Sequence, residues 1–272
     1  MRRPRRTGRR GCHAAAVVPA ELELVPEPER GRCYRSRRRV RLGDAGVDGR
    51  LRLDALARLL QDMGTDDFAD AGLDPSSPWV ARRMYVEASA WPTLGQRLAL
   101  TTWCGGLGGR WAERRTTIRA EGGPGRLEVA SLWIFLGVSG RPSRLPDWFA
   151  ATWGEAALGR TVSARLTLPG PDADATGRPW AIRSSDLDVL GHVNNAATWQ
   201  AVEDEAARRG LVPRTALLEY GEGIDPDDDV VLRSSSAASG DLRLWLCVGD
   251  AVRAAAHLTP MVQGERGPRS TR

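Results

Sequence analysis

The stretch "RSSDLDVLGHVNNAATW", residues 183–199, places His192, one of only three histidines in the chain, among two aspartates and two asparagines. An earlier stretch, "RLGDAGVDGRL" at residues 41–51, has the same frame. Arg41 aligns with Arg183, Asp44 with Asp186, Val47 with Val189 and Gly49 with Gly191. Self-similarity of this kind marks an internal duplication, and the residues downstream of the two copies match in pattern too. After the first, Leu53, Leu56, Leu60 and Met63 recur at helical spacing; after the second, Trp199, Val202 and Ala206 do so more weakly. Strand-like stretches come next: "QRLALTTW", "RWAERRTTI" and "LEVASLWIFLGV" in one half, then "TALLEY", "DVVLR", "DLRLWLCV" and "AVRAAAHL" in the other. The alternation of Leu242, Leu244 and Leu246 is that of a half-buried antiparallel strand. Each half therefore reads as one strand, one central helix and several further strands, an α+β fold built twice.

The divisions come from this reading. Residues 1–34 form a basic arm without apolar periodicity, expected to be disordered. Residues 35–150 form the first domain, 151–260 the second, and 261–272 a disordered tail. The stretch "GVSGRPSRLPDWFAATWG" between the halves carries the turn formers of a linker. The run "CGGLGG" has neither the lysine nor the following helix of a phosphate loop and reads as a glycine-rich hairpin turn.

Of the 272 residues 42% are hydrophobic, enough for a real core. The net charge of +5 suggests an anionic partner, but residues 1–39 alone carry +8, which leaves the rest at about −3. The body is mildly acidic, which argues against a nucleic-acid partner. Every basic residue is arginine. The four cysteines, Cys12, Cys33, Cys104 and Cys247, form no CxxC pair, which points away from a disulfide framework and from a zinc site. The expectation is a reduced, cytoplasmic protein. The apolar run "AAAVV" is too short for a signal core or a membrane span, so no membrane association is expected.

Within the motif, His192 accepts a proton near neutral pH, and Asp186 or Asp188 can orient it. Asn194 and Asn195 offer hydrogen bonds without titrating. A helix starting near Asn194 would bring free N–H groups and partial positive charge, a place for a developing oxyanion. Acid, base and oxyanion donors within one turn suit carbonyl chemistry, either hydrolysis or proton abstraction beside a carbonyl. The competing reading is purely structural: Asp and Asn near a helix start are ordinary caps, and Gly191 is an ordinary turn residue.

"SDLDVLGHVNN" resembles the signature of hotdog-fold thioesterases, and the two-copy layout resembles the acyl-acyl carrier protein thioesterase family in its bacterial form. "RRRVRLGDAGVDGRLRLDALARLLQDMGTDDFADAGL", "WVARRMYVE", "TWCGGLGGRWAERRTTI" and "GRPSRLPDWF" carry the likeness through the first half, so that it covers residues 35–258. The resemblance implies a tandem hotdog, each half an antiparallel sheet wrapped around its helix and the two packed as an internal pseudo-dimer. It further implies hydrolysis of fatty acyl-acyl carrier protein to free fatty acid, within fatty acid synthesis, with no metal or cofactor. Coenzyme A is the other thiol carrier, and whether two chains pair as a homodimer is left open.

The family pattern Asp-x-Asn-x-His is met by Asp188 and His192, while Leu190 stands at the Asn. Asn194 or Asn195 is then the substitute. The family's strand acid falls in "LLEYGEGIDP", where register gives Gly223 and Ile224 and makes Glu222 the nearest acid; Glu219 reads as a structural glutamate. The candidate catalytic set is thus Asp188, His192, Asn194, Asn195 and Glu222. No cysteine stands near in sequence, which argues against a thiolate nucleophile. In the first copy Gly46 and Arg50 replace Asp188 and His192, so one active site per chain is expected. Met84, Trp103 and Trp133 are candidates either for an acyl tunnel or for plain core. Two other readings compete: a catalytically silent acyl-thioester-binding hotdog protein, favoured by Leu190, and a hydratase, disfavoured because no proline lies between Asp188 and His192 and the two are four residues apart.

Overall fold

The computed structural model describes residues 22–74 and 79–261. In chain order the elements are β1 (Cys33–Arg39), α1 (Leu53–Asp70), β2 (Trp79–Ala90), β3 (Arg97–Leu107), β4 (Trp111–Ala120), β5 (Arg126–Phe135), α2 (Asp147–Trp153), β6 (Thr176–Pro179), α3 (Asn195–Arg208), β7 (Pro213–Tyr220), β8 (Val230–Ser236), β9 (Leu242–Val248) and β10 (Ala251–Pro260). Among the described residues the strands make one sheet in the order β1-β3-β4-β5-β2-β7-β10-β9-β8-β6. Read from either edge the order is the same, because β6 to β10 repeat β1 to β5. Every ladder is antiparallel, and β2 joins β7 at the centre with Met84 opposite Leu218 and Val86 opposite Ala216. This is the tandem hotdog that the sequence resemblance implies.

Both long helices lie on one face of this sheet. Leu53, Leu56, Leu60 and Met63 of α1 and Trp199, Val202 and Ala206 of α3 share one core with Met84, Val86, Leu244, Leu246 and Leu258 of the strands. The helical stripes thus face the core in both halves. β3 runs through Cys104, Gly105 and Gly106 with a bulge, so the hairpin turn falls after Leu107. A side chain at Gly105 would meet Arg115 Cγ at 2.4 Å, a close approach that requires glycine there. Among the described residues no helix is long and apolar enough to cross a membrane.

The other face is covered by a segment read as arm and by the stretch between α2 and β6. Leu22 is buried against Tyr85, Ala130 and Leu217, with Leu168 of the stretch between α2 and β6 beside it. Gly31 has φ +88°, and a Cβ there would fall 2.3 Å from the Ala156 backbone nitrogen, so the arm is docked on the turn that follows α2. The disordered arm expected over residues 1–34 is therefore corrected from residue 22 onward; residues 1–21 lie outside the described residues. The physical reason is that the strands' second face is apolar and needs a cover, which one or two isolated leucines supply without any period. The tail expected over 261–272 lies outside the described residues except for Met261, which is buried. Deleting residues 1–30, which arm composition alone would make harmless, is expected to lower the melting temperature. Leu22→Ala by itself should cost about 2 kcal/mol, measurable by denaturant unfolding.

The linker is equally structural. The division at 150/151 falls inside α2, whose Phe149 and Trp153 pack with Phe68 and Trp103 of the first half. Further on, Val162 N–H donates to Leu107 O at 3.1 Å, and Arg83 donates to Ser163 O at 3.1 Å. The chain then crosses the central strands, where the buried Glu219 carboxylate takes the N–H groups of Thr167 and Leu168, each at 2.8 Å. Glu219 is thus a structural glutamate.

Candidate active site

The two copies of the motif fold alike down to their hydrogen bonds. Asp44 and Asp186 each accept the backbone N–H of the arginine three residues before, at 2.8 Å. Gly46 N–H donates to Arg50 O at 2.8 Å, and Asp188 N–H donates to His192 O at 2.9 Å. Arg52 N–H bonds Asp44 O, and Asn194 N–H bonds Asp186 O. Gly49 and Gly191 have φ of +77° and +79°, the left-handed conformation that this turn demands. Asp186, offered by the sequence as a partner for His192, is instead buried in the turn it closes.

The turn delivers the chain to α3. Asn194 is its N-cap, and its Oδ1 takes Ala196 N–H at 2.8 Å. The first-turn amides of α3 have no acceptor within the helix and give that end a partial positive charge. Asp188 stands just before this end. Its Oδ1 accepts Leu190 N–H at 2.8 Å, its one side-chain hydrogen bond among the described residues, which leaves Oδ2 available.

A cavity of about 370 Å³ begins at Asp188, Val189, Leu190 and Asn194 and runs into the first half. Its walls come from α1 (Leu60, Gln61, Thr65, Phe68) and from aromatic residues including Trp79, Trp133, Phe149 and Trp153. Of the tunnel residues suggested by sequence, Trp133 lines it, whereas Met84 and Trp103 are core. Cys104 also lines it, a cysteine close in space though remote in sequence. Burial pushes its thiol up to about 11, so it stays protonated at neutral pH and is no ready nucleophile.

The remaining candidates fall outside the cavity wall. His192 is exposed, and its Nδ1 lies 2.9 Å from Asp225 Oδ1. Glu222 is not brought to it; that side chain is largely exposed and pairs with Arg253. Asp225 was missed because it sits three residues beyond Glu222, in the irregular stretch after β7. Gly223 stands against the imidazole, with His192 Nδ1 3.4 Å from its ideal Cβ position, an ordinary packing contact.

The first-half copy holds no base at the positions of Asp188 and His192, where Gly46 and Arg50 stand. Arg50 is buried, pairs with Glu203 of α3 and lies over the Trp91 ring at 4.9 Å. Glu203 also accepts Leu53 N–H at 2.9 Å, so this copy's helix start is plugged from the opposite half. Titration with a slow thioester analogue is expected to show one site per chain; two equivalent sites would contradict this arrangement.

A tandem hotdog with a carboxylate at a helix N-terminus opening on an apolar cavity defines a thioester hydrolase. Residues 31–152 match the acyl-ACP thioesterase N-terminal domain. The chain is 31% identical over 242 residues to an uncharacterized protein of Mycobacterium tuberculosis, covering 88% of this chain and 96% of that one. It is 23% identical to the chloroplastic oleoyl-acyl carrier protein thioesterase of Coriandrum sativum, over 89% of this chain and 73% of that one. The fold superimposes on the 12:0-ACP thioesterase from Umbellularia californica with a TM-score of 0.71 at 20% identity, over 85% of this chain and 99% of that one. The chain belongs to the acyl-ACP thioesterase family.

Proposed function

We propose that the protein hydrolyses fatty acyl thioesters of acyl carrier protein, releasing free fatty acid. The observation that carries this reading is the apolar, aromatic-walled cavity of the first half meeting Asp188 and the start of α3 from the second. The acyl chain lies in the cavity and the thioester carbonyl rests at the helix N-terminus. Asp188 Oδ2 takes a proton from water, whose oxygen adds to the carbonyl carbon. The oxyanion is met by first-turn amides of α3. Collapse breaks the C–S bond, and the proton on Asp188 passes to the departing thiolate. His192, steadied by Asp225, flanks the turn on its solvent side, where the thiol carrier enters. Asn194 shapes the helix start, and Asn195 is the first residue of the helix.

Thiol release measured across acyl lengths, on both acyl carrier protein and coenzyme A, tests the proposal. Turnover on the carrier-protein thioester at higher kcat/KM is the expected result; no release on either carrier would sink it. Leu190 at the family's polar position and the engagement of His192 with Asp225 favour a second reading, a silent acyl-thioester-binding protein. Such a protein would protect a labelled acyl thioester without releasing thiol.

A further inference from the structure

Gln61 belongs to the first half, yet it lines the cavity beside Asp188, Leu190 and Asn194. Its Nε2 donates to Asn195 Oδ1 and lies 3.3 Å from Asn194 Oδ1. The orientation of this amide is dictated by the helix cap. Asn194 must turn Oδ1 toward α3 to accept Ala196 N–H. Gln61 can then meet that oxygen only with its NH₂ end. Its Oε1 is left without a donor among the described residues, in the cavity that Asp188 also lines.

The internal repeat points the same way independently. Gln61 is nine residues beyond the α1 N-cap Arg52, and Glu203 is nine beyond the α3 N-cap Asn194. Glu203 reaches across to the first-half turn and holds Arg50, which occupies the place of His192. The same helix position in each half therefore serves the turn of the other half. In one direction it is a carboxylate that closes the turn with an ion pair. In the other it is a neutral amide that leaves the turn open to the cavity.

We infer that Gln61 is the water-holding residue of the site, supplying from the first half the polar group that Leu190 lacks. This rests on the hydrolytic reading above. The attacking water gives one proton to Asp188 and keeps its second O–H on Gln61 Oε1. Its oxygen is thereby aimed at the acyl carbon while Asp188 takes the charge. The amide is neutral and already anchored by two asparagine side chains, so it orients the water without competing for the proton.

The test uses the purified full chain in a thiol-release assay, with Gln61→Ala, Gln61→Glu and Asp188→Ala and a melting temperature for each. Gln61→Ala is expected to lower kcat about tenfold to a hundredfold with KM nearly unchanged. Gln61→Glu replaces the NH₂ held by Asn194 and Asn195 Oδ1 with an acceptor, so it loses the anchor and should turn over no faster than Gln61→Ala. An unchanged kcat in Gln61→Ala, a parallel loss of activity and melting temperature, or wild-type turnover in Gln61→Glu would each overturn the inference. If Asp188→Ala is inactive while Gln61→Ala is normal, only this inference fails. If Asp188→Ala keeps its turnover, the hydrolytic mechanism itself fails.

Discussion

Asp188→Ala is expected to lower thioester turnover by about 10²–10⁴-fold while the protein keeps its melting temperature. Water is a poor nucleophile at neutral pH, and of the two carboxylates lining the cavity Asp188 is the one just before α3, whereas Glu113 is paired with Arg115. Its only structural duty is to accept Leu190 N–H in a turn that the first copy closes with glycine at the same place. The first copy builds the same turn with Gly46 at this place and carries its side-chain hydrogen bond on Asp48, which accepts Arg50 N–H, so the Asp188 position itself needs no carboxylate and the fold should survive the substitution. His192→Ala is also expected to be severe, and its effect should be shared by Asp225→Ala, since Nδ1 is held there. Near-wild-type turnover of a folded Asp188→Ala sample would falsify the mechanism.

Asp67→Asn is expected to destabilise the protein by about 3 kcal/mol, lowering the melting temperature by roughly 6–12 °C. Asp67 sits near the C-terminal end of α1, where a negative charge opposes the helix dipole. Its presence there is explained by its partners. The carboxylate is buried and accepts Arg32 Nε–H at 2.8 Å, an Arg114 N–H at 2.7 Å and Trp153 Nε1–H at 2.9 Å. One residue thus ties the docked arm, the β4 wall of the cavity and the linker helix α2 to α1. An asparagine keeps the shape but removes the charge and turns one end into a donor facing donors. Arg32 retains Asp70 and some solvent, which is why the lower end of the usual cost for a broken buried pair applies. A melting temperature within about 2 °C of wild type would show that the network carries little of the stability.

Asp67 also shows where sequence reading stops. Its helix was legible, because Leu53, Leu56, Leu60 and Met63 repeat at the spacing that one face requires. Its role was not, because Arg32, Arg114 and Trp153 come from three separate segments. Asp225 and Gln61 were missed for the same reason. Gln61 is separated from Asn195 by 134 positions, and no local pattern marks the pair. The duplication held one usable clue, since Gln61 and Glu203 occupy the same place after their helix caps.

Taken alone, the sequence determined what depends on period and on local turn chemistry. It determined two copies of a strand–helix–strands unit, the turn closed by Asp44 or Asp186 and by Gly49 or Gly191, the capped start of α3, and the loss of acid–base residues at Gly46 and Arg50. Those features arise from side-chain alternation and from backbone conformations that few residues tolerate. Tertiary structure decided the rest: that Leu22 and the stretch between α2 and β6 cover the outer face, that Arg50 is plugged by Glu203, that His192 meets Asp225 rather than Asp186, and that the apolar cavity lies in one half while the carboxylate comes from the other. The Arg50–Glu203 plug and the meeting of cavity and carboxylate depend on how the two halves pack their apolar helix faces on one sheet, and the other two on contacts between segments far apart in sequence, so no neighbouring residues in the chain encode them.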